Sequence, residues 1–417
     1  YFGAQVSNYQ IEDLLRDVQA LPITHAETNR ELTRSAGRVA RFNEHFWNNF
    51  RDLRADEGRH PLIPGTFARK NFRGEVEPTA LGDAYLNLDG ALKRMETTID
   101  ALQDQTPEIE NMLRRIRQLR FDLEFIVAGD QKAFVYWLER RGRGTFLRAS
   151  PINVAGLLQD KLFDRTETVV LTSATLASGA NFNFVRERLG LEEPDELIAP
   201  SGYDYEKQTI LYLPLGMPDP RSPGWADAAA DEVVRLLGVT RGRAFVLATS
   251  TSGMNALYER VASRVPYPCL VQGSASKAGL LEKFRATEGA VLFATASFWQ
   301  GVDVRGEQLS CVIIDKLPFA VPSDPVVAAR QQQIDAEGGS SFYEYSVPQA
   351  IISLKQGLGR LIRSATDRGV LAVLDPRLRT KSYGRQFLKS LPPCRVVMRI
   401  EEAAEFFHAG EEINSLV

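Results

Sequence analysis

From Thr168 to the carboxyl terminus, short apolar runs alternate with amphipathic segments, and this alternation restricts the fold more than any other feature of the chain. Strand-length apolar runs occur at residues 169–171, 210–213, 244–248, 270–272, 290–294, 311–314 and 370–374. Helical periodicity fills the intervals, near residues 227–237, 253–264, 278–285, 325–336, 348–362 and 382–391. Strands that are apolar on both faces need helices on both faces, so the pattern predicts an α/β fold built on a doubly wound, mostly parallel sheet. Such sheets bind ligands at the carboxyl ends of their strands. Residues 401–417 are rich in acids and are expected to finish a helix or fray.

The amino-terminal part has a different period. Residues 7–129 are helix-patterned, with breaks at 61–64 and at Thr106-Pro107, and predict one all-α region. Leu88, Leu92, Met95, Ile99 and Leu102 recur every three or four residues, and Ile109, Leu113, Ile116, Leu119 and Leu123 nearly repeat them. Two such stripes joined by a Pro-containing turn predict an antiparallel helical hairpin. Two strand-like runs, 133–139 and 145–149, then flank Arg140-Arg141-Gly142-Arg143-Gly144 as a β-hairpin. Residues 111–148 carry nine Lys/Arg against four Asp/Glu, which suits either a solvated face or a phosphate-facing one.

Composition excludes several classes. A chain of 417 residues has room for two or three domains, and 44% apolar with 25% charged residues is a globular balance. Its apolar runs fall short of the roughly 20 residues needed to span a bilayer, so no membrane partner is expected. Cys269, Cys311 and Cys394 lie far apart and form no metal-ligand spacing, which suits a reducing cytoplasm and argues against a zinc site or a disulfide framework. The net charge is only -3, so contact with nucleic acid would rest on local basic surface.

Four segments carry candidate chemistry. The first apolar run leads into Thr172-Ser173-Ala174-Thr175, whose hydroxyls suit a phosphate, a carboxylate or a helix cap. A second strand leads into Thr249-Ser250-Thr251-Ser252 and then a helix, an anion site matched to a nucleic-acid backbone. A third ends in Thr295 and continues through Phe298, Trp299, Gln300, Gly301 and Asp303, combining aromatic stacking surface, a glycine for close approach and an acid for a ribose. The fourth is Gln356-Gly357-Leu358-Gly359-Arg360-Leu361-Ile362-Arg363. On a continuous helix Gln356, Arg360 and Arg363 would share one face, two guanidinium groups and an amide suited to a triphosphate.

The segments TSATL, VLATSTS, ATASFWQGVDVRG, IIDKLPF and QGLGRLIR, in this order and spacing, resemble the C-terminal part of the DinG/XPD-like superfamily 2 DNA helicases, nearest the DinG/YoaA branch. The resemblance implies two RecA-like motor domains with ATP between them, an arch inserted in the first, and 5′ to 3′ movement on single-stranded DNA. It assigns Ser173, Ala174 and Thr175 to coupling between the ATP and DNA sites. Ser250, Thr251, Thr295 and Gln300 are assigned to DNA, where the Trp299 ring is suited to stack on a base, and Gly301 and Asp303 to the nucleotide. Gln356, Arg360 and Arg363 become the catalytic set, with both arginines as finger candidates. Residues 1–129 would be arch-like, 130–180 the tail of the first motor domain and 181–417 the second motor domain.

No GxxxxGK[ST] phosphate loop occurs in the sequence, and Asp56-Glu57-Gly58-Arg59-His60 follows a helical pattern unlike a strand-borne DEAH box. The resemblance therefore implies a chain that begins at Tyr1 after the DEAH box of a longer helicase and is inactive alone as an ATPase. ATP and Mg2+ would bind the full-length protein, and an iron-sulfur cluster is conceivable only in the preceding portion. Expected partners are single-stranded, forked or duplex DNA and the first motor domain. The competing class is a non-catalytic module that binds nucleic acid or a protein partner on the same fold.

Overall fold

The computed structural model describes residues 2–21, 26–53, 56–70, 73, 75–102, 106–179, 181–295, 298, 304 and 306–414. The chain divides into two units, Tyr1–Arg165 with Val321–Glu337, and Thr166–Ala320 with Gly338–Val417.

Four helices supply most of the core of the first unit: α1 (Asn8–Gln19), α2 (Ala26–Leu53), α3 (Ala80–Asp100) and α4 (Pro107–Ala128). The paired stripes form the expected seam, with Leu88, Leu92, Met95 and Ile99 of α3 and Ile116 and Leu123 of α4 fully buried. Thr79 and Thr106 cap α3 and α4 by accepting the N–H groups of Gly82 and Ile109, and Gly129, at φ 56°, closes α4 in the left-handed region. The basic excess on α4 is largely consumed by neighbouring helices. Arg115 pairs with Asp17 at 2.7 Å, Arg117 with Glu96 at 2.7 Å, and Arg120 with Asp89 and Glu96 at 2.8 Å each. Burial alone would raise the Glu96 carboxyl, but hydrogen bonds and charge from Arg117 and Arg120 outweigh it and hold the group below its usual range.

The amino-terminal region is not purely helical. It contributes β1 (Ala4–Ser7), β2 (Gly58–Pro61), β3 (Ala68–Lys70) and β4 (Val76–Pro78), followed by the expected hairpin of β5 (Phe134–Arg141) and β6 (Gly144–Pro151). An antiparallel sheet of order β1-β6-β5-β2 forms, and β3 pairs with β4 separately. Strands of three or four residues carry too few alternations to register as a period, which is why they escape pattern reading. The acidic near-miss at 56–60 lies here: Glu57 accepts the Gly142 N–H at 2.8 Å, and Arg59 on β2 pairs with Asp324 at 2.7 Å. Helix α5 (Ala155–Lys161) follows β6.

The second unit holds α6 (Asn183–Leu189), α7 (Tyr205–Gln208), β7 (Thr209–Tyr212), α8 (Trp225–Thr240), β8 (Ala244–Ala248), α9 (Thr251–Val261), β9 (Cys269–Val271), α10 (Lys277–Ala286), β10 (Val291–Thr295) and β11 (Cys311–Ile314). After α11 (Pro325–Ala336), which lies in the first unit, come α12 (Val347–Leu358), β12 (Gly369–Val373), α13 (Arg377–Thr380), α14 (Gly384–Ser390), β13 (Arg395–Val397) and α15 (Ile400–Asn414). The seven strands form a parallel sheet of order β13-β7-β12-β11-β8-β10-β9. Ile210, Val246, Phe293, Ile313 and Ala372 pack on one face with residues of α8, α9 and α15, while Leu211, Leu247, Leu292, Val312 and Leu371 pack on the other with α10, α12 and α14. Every second side chain thus enters a different core, the doubly wound arrangement that the apolar runs require. Among the described residues no helix is long and apolar enough to cross a membrane.

One expected strand is missing. Residues 169–171 are not in a strand, and Val170 is 80% exposed. A lone strand has no ladder to satisfy its amides, and none of the described residues from 152 to 207 is buried. The β11/β12 contact, by contrast, is tight at its start, where a Cβ on Gly369 would lie 2.2 Å from the Ser310 carbonyl oxygen. Gly369→Ala is expected to cost about 1–3 kcal/mol by overpacking, read as a melting temperature lower by several degrees. An unchanged melting temperature would show that the strands can part without cost.

Candidate functional site

The candidate residues fall at opposite ends of the parallel sheet. Ser250, Thr251 and Thr295 follow or end strands β8 and β10 at the carboxyl end, whereas Arg363 precedes β12 at the amino end. The three members of the fourth motif do not share a helix face. Helix α12 stops at Leu358, so Gln356 is helical while Arg360 and Arg363 lie in the following turn and loop. Gly357 and Gly359 weaken the last turn, and the loop is drawn away by a buried acid downstream. The arginine is still brought back, because Arg360 Nε donates to the Gln356 carbonyl oxygen at 3.1 Å.

Gln356 also joins the first motif to the fourth. Its Nε2 donates to Thr175 Oγ1 at 3.3 Å, Ser173 Oγ accepts the Thr175 N–H at 3.2 Å, and Lys355 Nζ donates to the Ala177 carbonyl at 3.1 Å. Burial lowers the Lys355 pKa. Ala174 is exposed between the two hydroxyl residues. Thr175, Gln356 and Arg360 therefore form one chain of contacts at the end of α12.

The loop from Arg363 to Asp367 is shaped by side chains. Asp367 Oδ2 accepts the Arg363 and Ser364 N–H groups at 2.6 and 2.8 Å, and Oδ1 accepts the Ser364 hydroxyl at 2.7 Å and the Gly306 N–H at 3.2 Å. Tyr203 donates its hydroxyl to the Arg363 carbonyl at 3.0 Å. Arg360 and Arg363 are half-buried, and their guanidinium groups are planar cations that match phosphate oxygens in charge and geometry. The donor set fits a nucleotide's phosphates. For a divalent metal there is no match, because no group of three His, Cys, Asp or Glu side chains capable of holding one occurs among the described residues.

At the carboxyl end, Ser250 caps α9, its Oγ accepting the Gly253 N–H at 3.1 Å, and Thr251 opens the helix exposed. The Ser250 hydroxyl, expected at an anion site, is thus engaged in capping α9. Thr295 donates its N–H and hydroxyl to Gln272 Oε1 at 2.8 and 3.0 Å. Phe298 is buried in the core. Trp299, Gln300, Gly301 and Asp303 lie outside the described residues.

Three residues without a sequence assignment organise these ends. Asp315, 1% exposed at the end of β11, accepts the Thr249 and Lys316 N–H groups on Oδ1 at 2.9 and 2.6 Å. Burial pushes its carboxyl up to about 7, and the hydrogen bonds from Lys316 and Thr249 offset only part of that. Asp367 and Gln208 hold the arginine loop. An acid directly after a continuous apolar run, as in Ile313-Ile314-Asp315, was the available signal for the first. The other two depend on contacts between distant segments.

A model of the helicase C-terminal domain matches residues 233–394, which include the second, third and fourth motifs. ATP-dependent DNA helicase YoaA of Escherichia coli K12 is 35% identical over 406 residues, covering 97% of this chain and 62% of that protein. ATP-dependent helicase DinG of Mycobacterium tuberculosis H37Ra is 39% identical over 277 residues, covering 64% of this chain and 42% of the relative. A solved XPD helicase superposes with a TM-score of 0.54 at 15% identity, covering 95% of this chain and 65% of that one, which shows a shared fold. The chain spans less than two thirds of the length of these curated relatives.

Proposed function

We propose, from the premise that this chain is a DinG/XPD-like superfamily 2 helicase region, that it is the later portion of an ATP-dependent DNA helicase that moves 5′ to 3′ on single-stranded DNA. Residues 1–129 form the arch-like part, 130–180 the tail of the first motor domain and 181–417 the second motor domain. The setting is cytoplasmic, and the substrates are single-stranded, forked or duplex DNA.

The observation that carries this reading is the contact chain Thr175–Gln356–Arg360, in which one residue meets a coupling residue through its side-chain amide and a phosphate-facing arginine through its backbone carbonyl. ATP, when bound, supplies the phosphoryl group whose transfer to water releases the free energy. Arg360 and Arg363 neutralise charge that builds on that group, a contribution worth about 10³–10⁵ in rate when an arginine is supplied from a second domain. Ser173, Ala174 and Thr175 report the state of that pocket through Gln356. Ser250 and Thr251 hold backbone phosphates by hydroxyl and amide donors; Thr295, whose N–H and hydroxyl both go to Gln272 Oε1, belongs with Trp299 and Gln300 to the same DNA surface, and Gly301 and Asp303 approach the nucleotide. The exposed apolar segment around Val170 suits a strand whose sheet belongs to the first motor domain.

Steady-state hydrolysis tests the assignment. The full-length protein is expected to turn over ATP with stimulation by single-stranded DNA, and this chain alone to show none with or without DNA. Turnover by the isolated chain, lost in Arg363→Ala, would refute the expectation that this portion is inactive alone. A full-length protein that binds DNA without any turnover would favour the non-catalytic module.

A further inference from the structure

We infer that Asp367 and Gln208 are positioning residues for Arg363, setting the backbone from which its guanidinium reaches the nucleotide. The inference rests on the reading of Arg363 as a phosphate-facing arginine and adds the means by which it is aimed. Between the end of α12 at Leu358 and the start of β12 at Gly369 the chain has no regular structure, so neither ladder nor helix determines where residue 363 sits.

Side chains take over that task. Asp367, 5% exposed, accepts the N–H groups of Arg363 and Ser364 on one oxygen. Gln208 Nε2 donates to the carbonyl oxygens of Ser364, Ala365 and Asp367 at 3.0, 3.2 and 2.8 Å, and Tyr203 donates to that of Arg363 at 3.0 Å. Both backbone groups of Arg363 are therefore fixed, its N–H by Asp367 and its carbonyl by Tyr203. Hydrogen bonds to an ionised acceptor are the stronger kind, and inside a protein their loss leaves buried amides unsatisfied.

The carboxylate has a second consequence through its other oxygen. Oδ1 accepts the Gly306 N–H at 3.2 Å, which ties the arginine loop to the segment that follows Gly301 and Asp303 in sequence. One side chain thus anchors both the arginine loop and Gly306. Gln208 gives the same loop a fixed base, because it is the last residue of α7 and abuts β7. An asparagine at 367 would present an NH2 group to donors that one carboxylate oxygen now accepts, so one side of this junction would open. Displacements of about 1 Å at a reacting group cost on the order of 10²-fold in rate.

The test uses the full-length protein and DNA-stimulated ATP hydrolysis. Asp367→Asn is expected to lower kcat by about 10²-fold while KM for ATP and affinity for single-stranded DNA stay within about twofold, since the arginine contributes chiefly in the transition state. Gln208→Met, which keeps the length of the side chain and removes its donors, is expected to lower kcat in the same direction and serves if Asp367→Asn fails to fold. Arg363→Lys supplies the control and the background. It should itself lower kcat by at least about tenfold, and in that background Asp367→Asn should add less than about threefold, because the geometry it disturbs no longer matters. Full loss from Asp367→Asn in both backgrounds would mean a general structural defect and overturn the inference. Unchanged kcat in Asp367→Asn or Gln208→Met, with Arg363→Lys impaired, would overturn it while leaving the arginine reading intact. Unchanged kcat in Arg363→Lys would remove the arginine reading, and this inference with it.

Discussion

Alanine at Arg363 in the full-length protein is expected to cut DNA-dependent ATP turnover by about 10³–10⁵-fold, with single-stranded DNA affinity changed by less than about twofold. The separation follows from the sheet. Arg363 precedes β12 at the amino end, whereas Ser250 and Thr251 follow β8 at the carboxyl end, so a side-chain deletion at one end leaves the other end's donors in place. Arg360→Ala should add a second defect, because Arg360 Nε holds the carbonyl of Gln356, whose amide meets Thr175. That variant should lose turnover and also lose part of its dependence on DNA. Steady-state ATPase with and without DNA, beside equilibrium DNA binding, separates these results. Full turnover in Arg363→Ala, or joint loss of turnover and DNA binding, would contradict the assignment.

The second large effect concerns stability. Asp315 is held protonated up to about pH 7 in the folded chain, whereas in the unfolded chain an aspartate ionises near 3.9. Between those values the unfolded state gives up a proton that the folded state keeps, so this group's contribution to stability is greatest below about pH 4. It declines as the pH rises to about 7 and then levels off. Asparagine has no proton to lose. Its carbonyl oxygen can accept the Thr249 and Lys316 N–H groups that Asp315 Oδ1 accepts now. Asp315→Asn is therefore expected to melt at nearly the wild-type temperature at pH 4. At pH 8 it should be more stable by something on the order of 3 kcal/mol, or several degrees or more. Thermal unfolding at the two pH values decides it, and a variant less stable than wild type at pH 8 would contradict the burial cost assigned to the carboxyl. That a stabilising change is open at this position fits a residue placed next to Thr249, Ser250 and Thr251 for reasons other than stability.

The parallel sheet was legible because its strands are buried on both faces. Phe245, Val246 and Leu247, or Val312 and Ile313, leave an uninterrupted apolar run that no surface element imitates. β13 was missed, since Arg395-Val396-Val397 is short, lies at the border of the sheet and exposes two of its three residues. The run at 169–171 has the same composition as a buried strand, yet it joins none of the sheets formed among the described residues. At the candidate site the periodicity of α12 was carried too far. Helical phase places Gln356, Arg360 and Arg363 together only while the helix continues, and the Asp367 carboxylate pulls the amides of Arg363 and Ser364 into a loop instead. Residue types singled out the segment, but the geometry that joins Gln356 to Thr175 came from residues about 180 positions apart, a distance no local pattern spans.

Because the strands between the two ends are closely packed on both faces, the sheet cannot absorb a disturbance by bending or sliding internally. A five-residue strand such as β12 is about 16 Å long, so tilting the slab by about 4° about one end would carry the other through roughly 1 Å. The second unit is in this sense a stiff lever: a tilt of the whole sheet moves its two ends together, whereas a local change confined to the arginine loop leaves the serine-threonine end where it is.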